Sequence, residues 1–162
     1  MASFKYDVLG IGNAIVDVIA FTEDDFLLSH DLAKGSMLLI DEAQAEKLYQ
    51  SMGPATIISG GSAANTIAGV ASLGGSASFI GKVREDALGQ AFTHDIRATG
   101  VHFESRPASM GPATARSFIL VTPDGERTMN TFLGACQNLG SDDIDPHTVE
   151  QAAVTYLEGY LW

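Results

Sequence analysis

Ile57 to Gly75 reads IISGGSAANTIAGVASLGG: two β-branched residues run into a glycine pair, and an alanine-rich stretch leads to a second pair. β-Branched residues favour strand and small ones tolerate helix. The stretch therefore predicts a short buried strand at Ile57 and Ile58, a tight turn, and a helix from Ala63 to Leu73 closed by Gly74 and Gly75. Gly60 and Gly61 let a ligand approach the backbone closely. Ser62 is the expected N-cap, which leaves the amides of the first turn facing whatever sits at the strand end. Asn65 lies one turn on, where Asn costs about 0.5 kcal/mol against Ala. A packed turn with an exposed Asn is the plain alternative to a ligand site.

Outward from this point, strand and helix patterns alternate. Tyr6–Ile11, Val16–Phe21, Met37–Ile40, Ala77–Val83 and Val154–Leu157 read as strands; Phe26–Leu32, Asp41–Met52 and Gln90–Ala98 read as helices. Asp145 followed by Pro146 has the cap and first-turn residues of another helix. Ala113–Val121 and Glu126–Phe132 are extended runs joined by Thr122-Pro123-Asp124-Gly125, a hairpin signal. The expected fold class is α/β: a mostly parallel sheet flanked by helices, with a small antiparallel lid that projects from it.

The 162 residues carry 46% apolar and 18% charged side chains, enough to bury a core. A net charge of −11 without a basic patch argues against nucleic acid and anionic lipid as partners. Apolar runs are too short for a membrane span, and the N-terminus lacks a signal peptide's apolar stretch. A single cysteine, Cys136, forms neither an internal disulfide nor a metal cluster; it reads as a small packed residue in a cytoplasmic protein. The four histidines show no paired ligand spacing, and no metal site is expected.

A second motif is GIGNAIVD, Gly10 to Asp17. Its opening is similar to a dinucleotide fingerprint, but Ile15 stands where a third small residue belongs and strand follows instead of helix. Asn13 and Asp17 instead offer an amide and a carboxylate near the C-terminal end of the first strand, where open α/β sheets bind ligands. A carboxylate there accepts hydrogen bonds from vicinal hydroxyls, although a solvated strand-end acid is the simpler reading of Asp17 taken alone. Lys82 and Arg84 read as solvated cations.

The order of Asn13 and Asp17, then GGSAAN, then the stretch from Phe79 to Gly89 with its DxxG at Asp86–Gly89, resembles the ribokinase and adenosine kinase family, the PfkB carbohydrate kinases. The spacing of Asn13 and Asp17 is similar to the adenosine kinase branch. The resemblance implies a ribokinase-like fold over the whole chain, 1–162, as an incomplete domain with lid segments at about 16–40 and 103–133. It implies that Asp17 holds ribose-type hydroxyls, with Asn13, Gly60, Gly61 and Asn65 around it, and that Arg127 reaches ATP phosphates. An exposed turn-flanking cation is the alternative for Arg127.

The family's activity is transfer of the γ-phosphoryl group of ATP, with Mg2+, to a hydroxymethyl group of a sugar or nucleoside. Its catalytic Asp, in a GAGD-like turn, has no counterpart here, so no catalytic residue is expected in this chain. The apolar end, Leu157-Glu158-Gly159-Tyr160-Leu161-Trp162, lies just past a strand that would expect a further covering helix and so reads as a truncation, an aromatic terminus docked on the surface being the alternative. The alternative function is a non-catalytic sugar- or nucleoside-binding or dimerisation module. A homodimer through the lid or the missing half is compatible with either.

Overall fold

The computed structural model describes residues 4–160, so Leu161 and Trp162 of the apolar end lie outside the described residues. In chain order the elements are β1 (Tyr6–Ile11), β2 (Ile15–Phe21), α1 (Asp24–Ser29), β3 (Met37–Leu39), α2 (Glu42–Ser51), β4 (Thr56–Gly60) and α3 (Ser62–Ser72). There follow β5 (Ala77–Ile80), α4 (Ala87–Ala98), β6 (Ala115–Val121), β7 (Arg127–Phe132), α5 (Pro146–Glu150) and β8 (Ala152–Leu157).

Several element ends follow from local chemistry. The Asp41 carboxylate accepts from the Gln44 amide at 2.8 Å while Gln44 Oε1 accepts from the Asp41 amide at 2.9 Å, a reciprocal cap for α2. Asp145 caps α5, with Pro146 in its first turn. Asp86 caps α4 through the Gly89 amide at 2.8 Å and also accepts from the Thr114 amide at 2.9 Å and its hydroxyl at 2.7 Å. A Cβ on Gly89 would lie 2.0 Å from the Arg84 carbonyl oxygen. The DxxG motif is thus a clamp between α4 and the approach to β6.

The strands form two sheets. One is parallel and three-stranded, in the order β5-β1-β8; the other is five-stranded and mixed, in the order β3-β7-β6-β2-β4. In the second sheet β2 runs parallel to β6 and β3 parallel to β7, while β2–β4 and β6–β7 are antiparallel. The strand leading into GGSAAN therefore belongs to the mixed sheet, and α3 carries the chain back to the parallel one. Of the lid segments, 16–40 supplies β2 and β3, and 103–133 supplies strand only from Ala115 onward. His102 and Ala108 form isolated bridges with Ser78 and Arg84, beside β5.

One apolar cluster spans both sheets. Val16, Val18, Phe118, Leu120 and Phe132 from the mixed sheet share it with Ala77, Phe79, Phe92, Ile96 and Phe103. Phe79, Phe92 and Phe103 stand with ring centroids 5.4–6.1 Å apart. Tyr49 of α2 packs on Phe118, and the Arg116 guanidinium lies over the Phe118 and Phe132 rings while pairing with Glu46. Every residue of β6 from Ala115 to Leu120 and four of the six in β7 are buried, and Phe118, Leu120 and Phe132 join the cluster on the helix-covered face.

The expected burial of Ile57 and Ile58 is corrected: they keep 39% and 42% exposure because β4 is an edge strand of its sheet. Val154, Tyr156 and Leu157 of β8 are likewise exposed on an edge.

Candidate functional site

The uncovered face of the mixed sheet presents a row across four strands. The register pairs Asp17 with Ser117, Ser117 with Thr131 and Thr131 with Leu39. One step along the strands, Ile19, Ile119, Met129 and Met37 form a parallel apolar row. Ser117 and Thr131 share a hydrogen bond of 2.8 Å between their hydroxyls. Apart from Ile19, these rows, with the first turn of α3 and the ends of β1 and β8, line a cavity of about 510 Å3, within the range of small-molecule sites.

Each expected residue has a definite place. Asn13, Asp17, Gly61, Asn65 and Arg127 line this cavity, while Gly60 lies directly under the Asp17 carboxylate. Asp17 is half-buried, and desolvation raises its carboxyl from 3.8 to about 6, the Arg127 charge opposing that rise. Asn13 is 3% exposed and its Oδ1 has no hydrogen-bond partner. A buried acceptor without a donor is costly in the free protein. Asn65 and Arg127 are exposed along the rim.

Gly61 has φ +100°, and a Cβ on it would lie 2.5 Å from the Asn13 carbonyl oxygen. Only glycine meets both demands. Gly61 is also the N-cap of α3, in place of the expected Ser62, which falls inside the first helical turn. Its hydroxyl is thereby freed to donate to Glu158 Oε2 at 2.8 Å.

Glu158, Ser117 and Thr131 are cavity residues that sequence reading missed. The period-two pattern of the hairpin carries a signal for the two hydroxyls, which point to the face opposite Phe118 and Phe132 although all four residues are buried. Glu158 carries a weaker one, an acid at the C-terminal end of a parallel strand.

Lys82 is not a solvated cation: its ammonium pairs with Asp143, both side chains being largely buried. The Arg84 guanidinium donates to the Gly111 carbonyl. Cys136 is packed as expected, its thiol donating to the Leu133 carbonyl at 2.7 Å and pushed up to about 12 by burial, with the Glu158 charge adding to the effect. Among the described residues no group of three or more His, Cys, Asp or Glu side chains is arranged to hold a metal ion, and no helix is long and apolar enough to cross a membrane.

Two sheets joined through a glycine-pair turn, with an acid and an amide at the strand ends of the cleft, define a ribokinase-like α/β protein. The model of the pfkB family of carbohydrate kinases matches residues 7–162, and the chain belongs to that family. The chain is 61% identical to the adenosine kinase from Sinorhizobium meliloti, with a TM-score of 0.91 over 98% of this chain and 48% of that one. It is 27% identical to an adenosine kinase from Schistosoma mansoni solved with adenosine, with a TM-score of 0.82 over 97% of this chain and 47% of that one. Adenosine kinase 2 of Arabidopsis thaliana is 26% identical over 99% of this chain and 49% of its own length. The chain spans about half the length of the relatives it matches.

Proposed function

We propose that these residues form the acceptor-gripping half of a kinase that transfers the γ-phosphoryl group of ATP to a hydroxymethyl group of a nucleoside or sugar, with an adenosine-like acceptor favoured. The observation that carries this reading is the pair of rows on the open sheet face. A polar row of Asp17, Ser117 and Thr131 suits the hydroxyls of a ribose, and the adjacent apolar row of Ile119, Met129 and Met37 suits a flat base. A free sugar would leave the apolar row wet.

In this reading the ionised Asp17 accepts two vicinal hydroxyls, Asn13 Oδ1 accepts a third, and the Gly61 amide and Asn65 complete the grip. Arg127, exposed at the start of β7 on the same face, neutralises phosphate charge as the acceptor's hydroxymethyl group approaches the donor. The seats of ATP and Mg2+ are assigned mainly to sequence beyond this chain. The residue that takes the proton from the attacking hydroxyl is assigned to sequence beyond this chain, since no GAGD-like turn occurs in it.

The test is ATP-dependent phosphorylation of adenosine, ribose and fructose by residues 1–162 and by the natural protein with any sequence that follows Trp162. The reading expects turnover of adenosine by the second alone. Equal turnover by both, or turnover of fructose far above adenosine, would overturn it.

A further inference from the structure

Glu158 ties together three segments that are far apart in sequence. Its Oε1 accepts from the Asn13 amide at 2.7 Å, and its Oε2 accepts from the Ser62 hydroxyl at 2.8 Å and the Ala63 amide at 3.1 Å. Its own amide donates to the Ile11 carbonyl at 3.3 Å, which carries the β1–β8 pairing one residue past Leu157. The chain leaves room for this carboxylate: a Cβ on Gly12 would lie 2.5–2.7 Å from the Glu158 side chain.

The N-terminus of an α-helix offers unpaired amides and a partial positive charge, and so attracts phosphate. In α3, an 11-residue helix, that seat is filled by the protein's own carboxylate. Beside it, the buried Asn13 Oδ1 has no partner and, as an acceptor, calls for a donor from the ligand. Asp17 adds a second acid to the cavity wall, against Arg127 as the cation lining it among the described residues. A neutral hydroxyl-bearing group meets complementary acceptors here, whereas a phosphate meets like charge.

We infer that Glu158 is a specificity-determining residue: by occupying the anion seat of α3 it makes the cavity select an uncharged, hydroxyl-bearing acceptor over one that carries phosphate on a sugar hydroxyl. The inference rests on the cavity being the acceptor seat. It also gives Glu158 a positioning role, since the same carboxylate holds the Asn13 backbone.

Glu158→Gln in the natural protein tests this, because glutamine keeps the size but only one acceptor oxygen. Either the Asn13 amide or the Ser62–Ala63 pair then loses its partner, and the negative charge is gone. Calorimetric titration of the wild type is expected to show adenosine binding at least about tenfold tighter than adenosine 3′-phosphate. In E158Q that ratio narrows by about tenfold or more, while adenosine itself loses less than that. Gly12→Ala, whose methyl would displace the Glu158 side chain without removing it, is expected to narrow the ratio as well and serves if E158Q does not fold.

A wild type that binds both nucleosides alike, or a ratio that stays within about threefold in a folded variant, overturns the inference. Titration of E158Q with inorganic phosphate alone, where a new saturable site is expected, reads the α3 seat without any acceptor. Failure of the wild type to bind adenosine would instead count against the acceptor reading.

Discussion

A Cβ on Gly60 would lie 2.3 Å from the Asp17 carboxyl carbon, so the first glycine of the pair exists to let that carboxylate lie across β4. The second, Gly61, answers a different need, a left-handed backbone pressed against the Asn13 carbonyl.

The two glycines are therefore expected to fail differently. Gly60→Ala pushes aside the end of a movable side chain, so it should raise the acceptor KM by about tenfold or more, with little change in melting temperature. Gly61→Ala meets backbone on both counts and should cost about 1–3 kcal/mol, or roughly 2–12 °C at about 2–4 °C per kcal/mol for a chain of this size. Parallel thermal melts and acceptor kinetics on the two variants check this; identical profiles would contradict it.

Asp17 predicts opposite pH trends for stability and binding. Its folded value of about 6 lies above the unfolded 3.8, so between these the folded chain holds more protons than the unfolded one. The contribution of Asp17 to stability therefore falls as pH rises through that window and is constant above it. Asp17→Asn should remove this slope and raise the melting temperature at neutral pH. Acceptor affinity needs the ionised carboxylate, so in the wild type it should climb through about pH 6 and level off. In Asp17→Asn it should be roughly 10- to 150-fold weaker at neutral pH, the loss of a charged hydrogen bond worth about 1.5–3 kcal/mol. Melting curves and titrations across the window decide both.

The hairpin belongs to the core wall. Phe118 is fully buried between α2 and the rest of the cluster, so Phe118→Ala should cost about 3–5 kcal/mol. Met37, 53% exposed on the other face, should cost under about 1 kcal/mol on truncation while weakening acceptor binding. Denaturant unfolding of the two variants checks the contrast. A cost below about 1 kcal/mol for Phe118→Ala would mean that the hairpin is loosely attached.

Asp86 supports the fold and lies away from the cleft. Asp86→Ala removes the α4 cap and leaves the Thr114 amide and hydroxyl without their acceptor, for a combined loss of about 1–3 kcal/mol. Acceptor KM should stay within about twofold if the clamp is structural alone. A large KM change with unaltered unfolding would assign the DxxG motif to the site.

Much of this protein was legible locally. Asp41 and Asp145 act as the caps they were read to be because a cap needs only its own side chain and the next few amides, whereas the Asp86 cap, which starts α4 at Ala87 instead of Gln90, went unread. The turn at Thr122–Gly125 formed as read because Gly125 accepts φ +83°. The glycine pair and the acid–amide pair could be read as a candidate ligand site for the same reason: close approach and hydroxyl acceptance are properties of residue types.

Tertiary structure decided what no local pattern encodes. Ile57 and Ile58 have the composition of a buried strand, yet strand order puts β4 at an edge, and order depends on which distant segments pair. The hairpin residues read as two extended runs and a turn, but which groups Phe118 and Phe132 would pack against, α2 and the central cluster, depended on the pairing of β6 with β2. Glu158 is 145 residues from Asn13, and only the parallel pairing of β8 with β1 brings its carboxylate to that amide and to the first turn of α3. The elevated Asp17 carboxyl arises in the same way, since desolvation is set by neighbours from other strands. Sequence by itself determined which chemistry is available; the pairing of remote segments determined which groups meet, because hydrogen bonds and burial act through space and not along the chain.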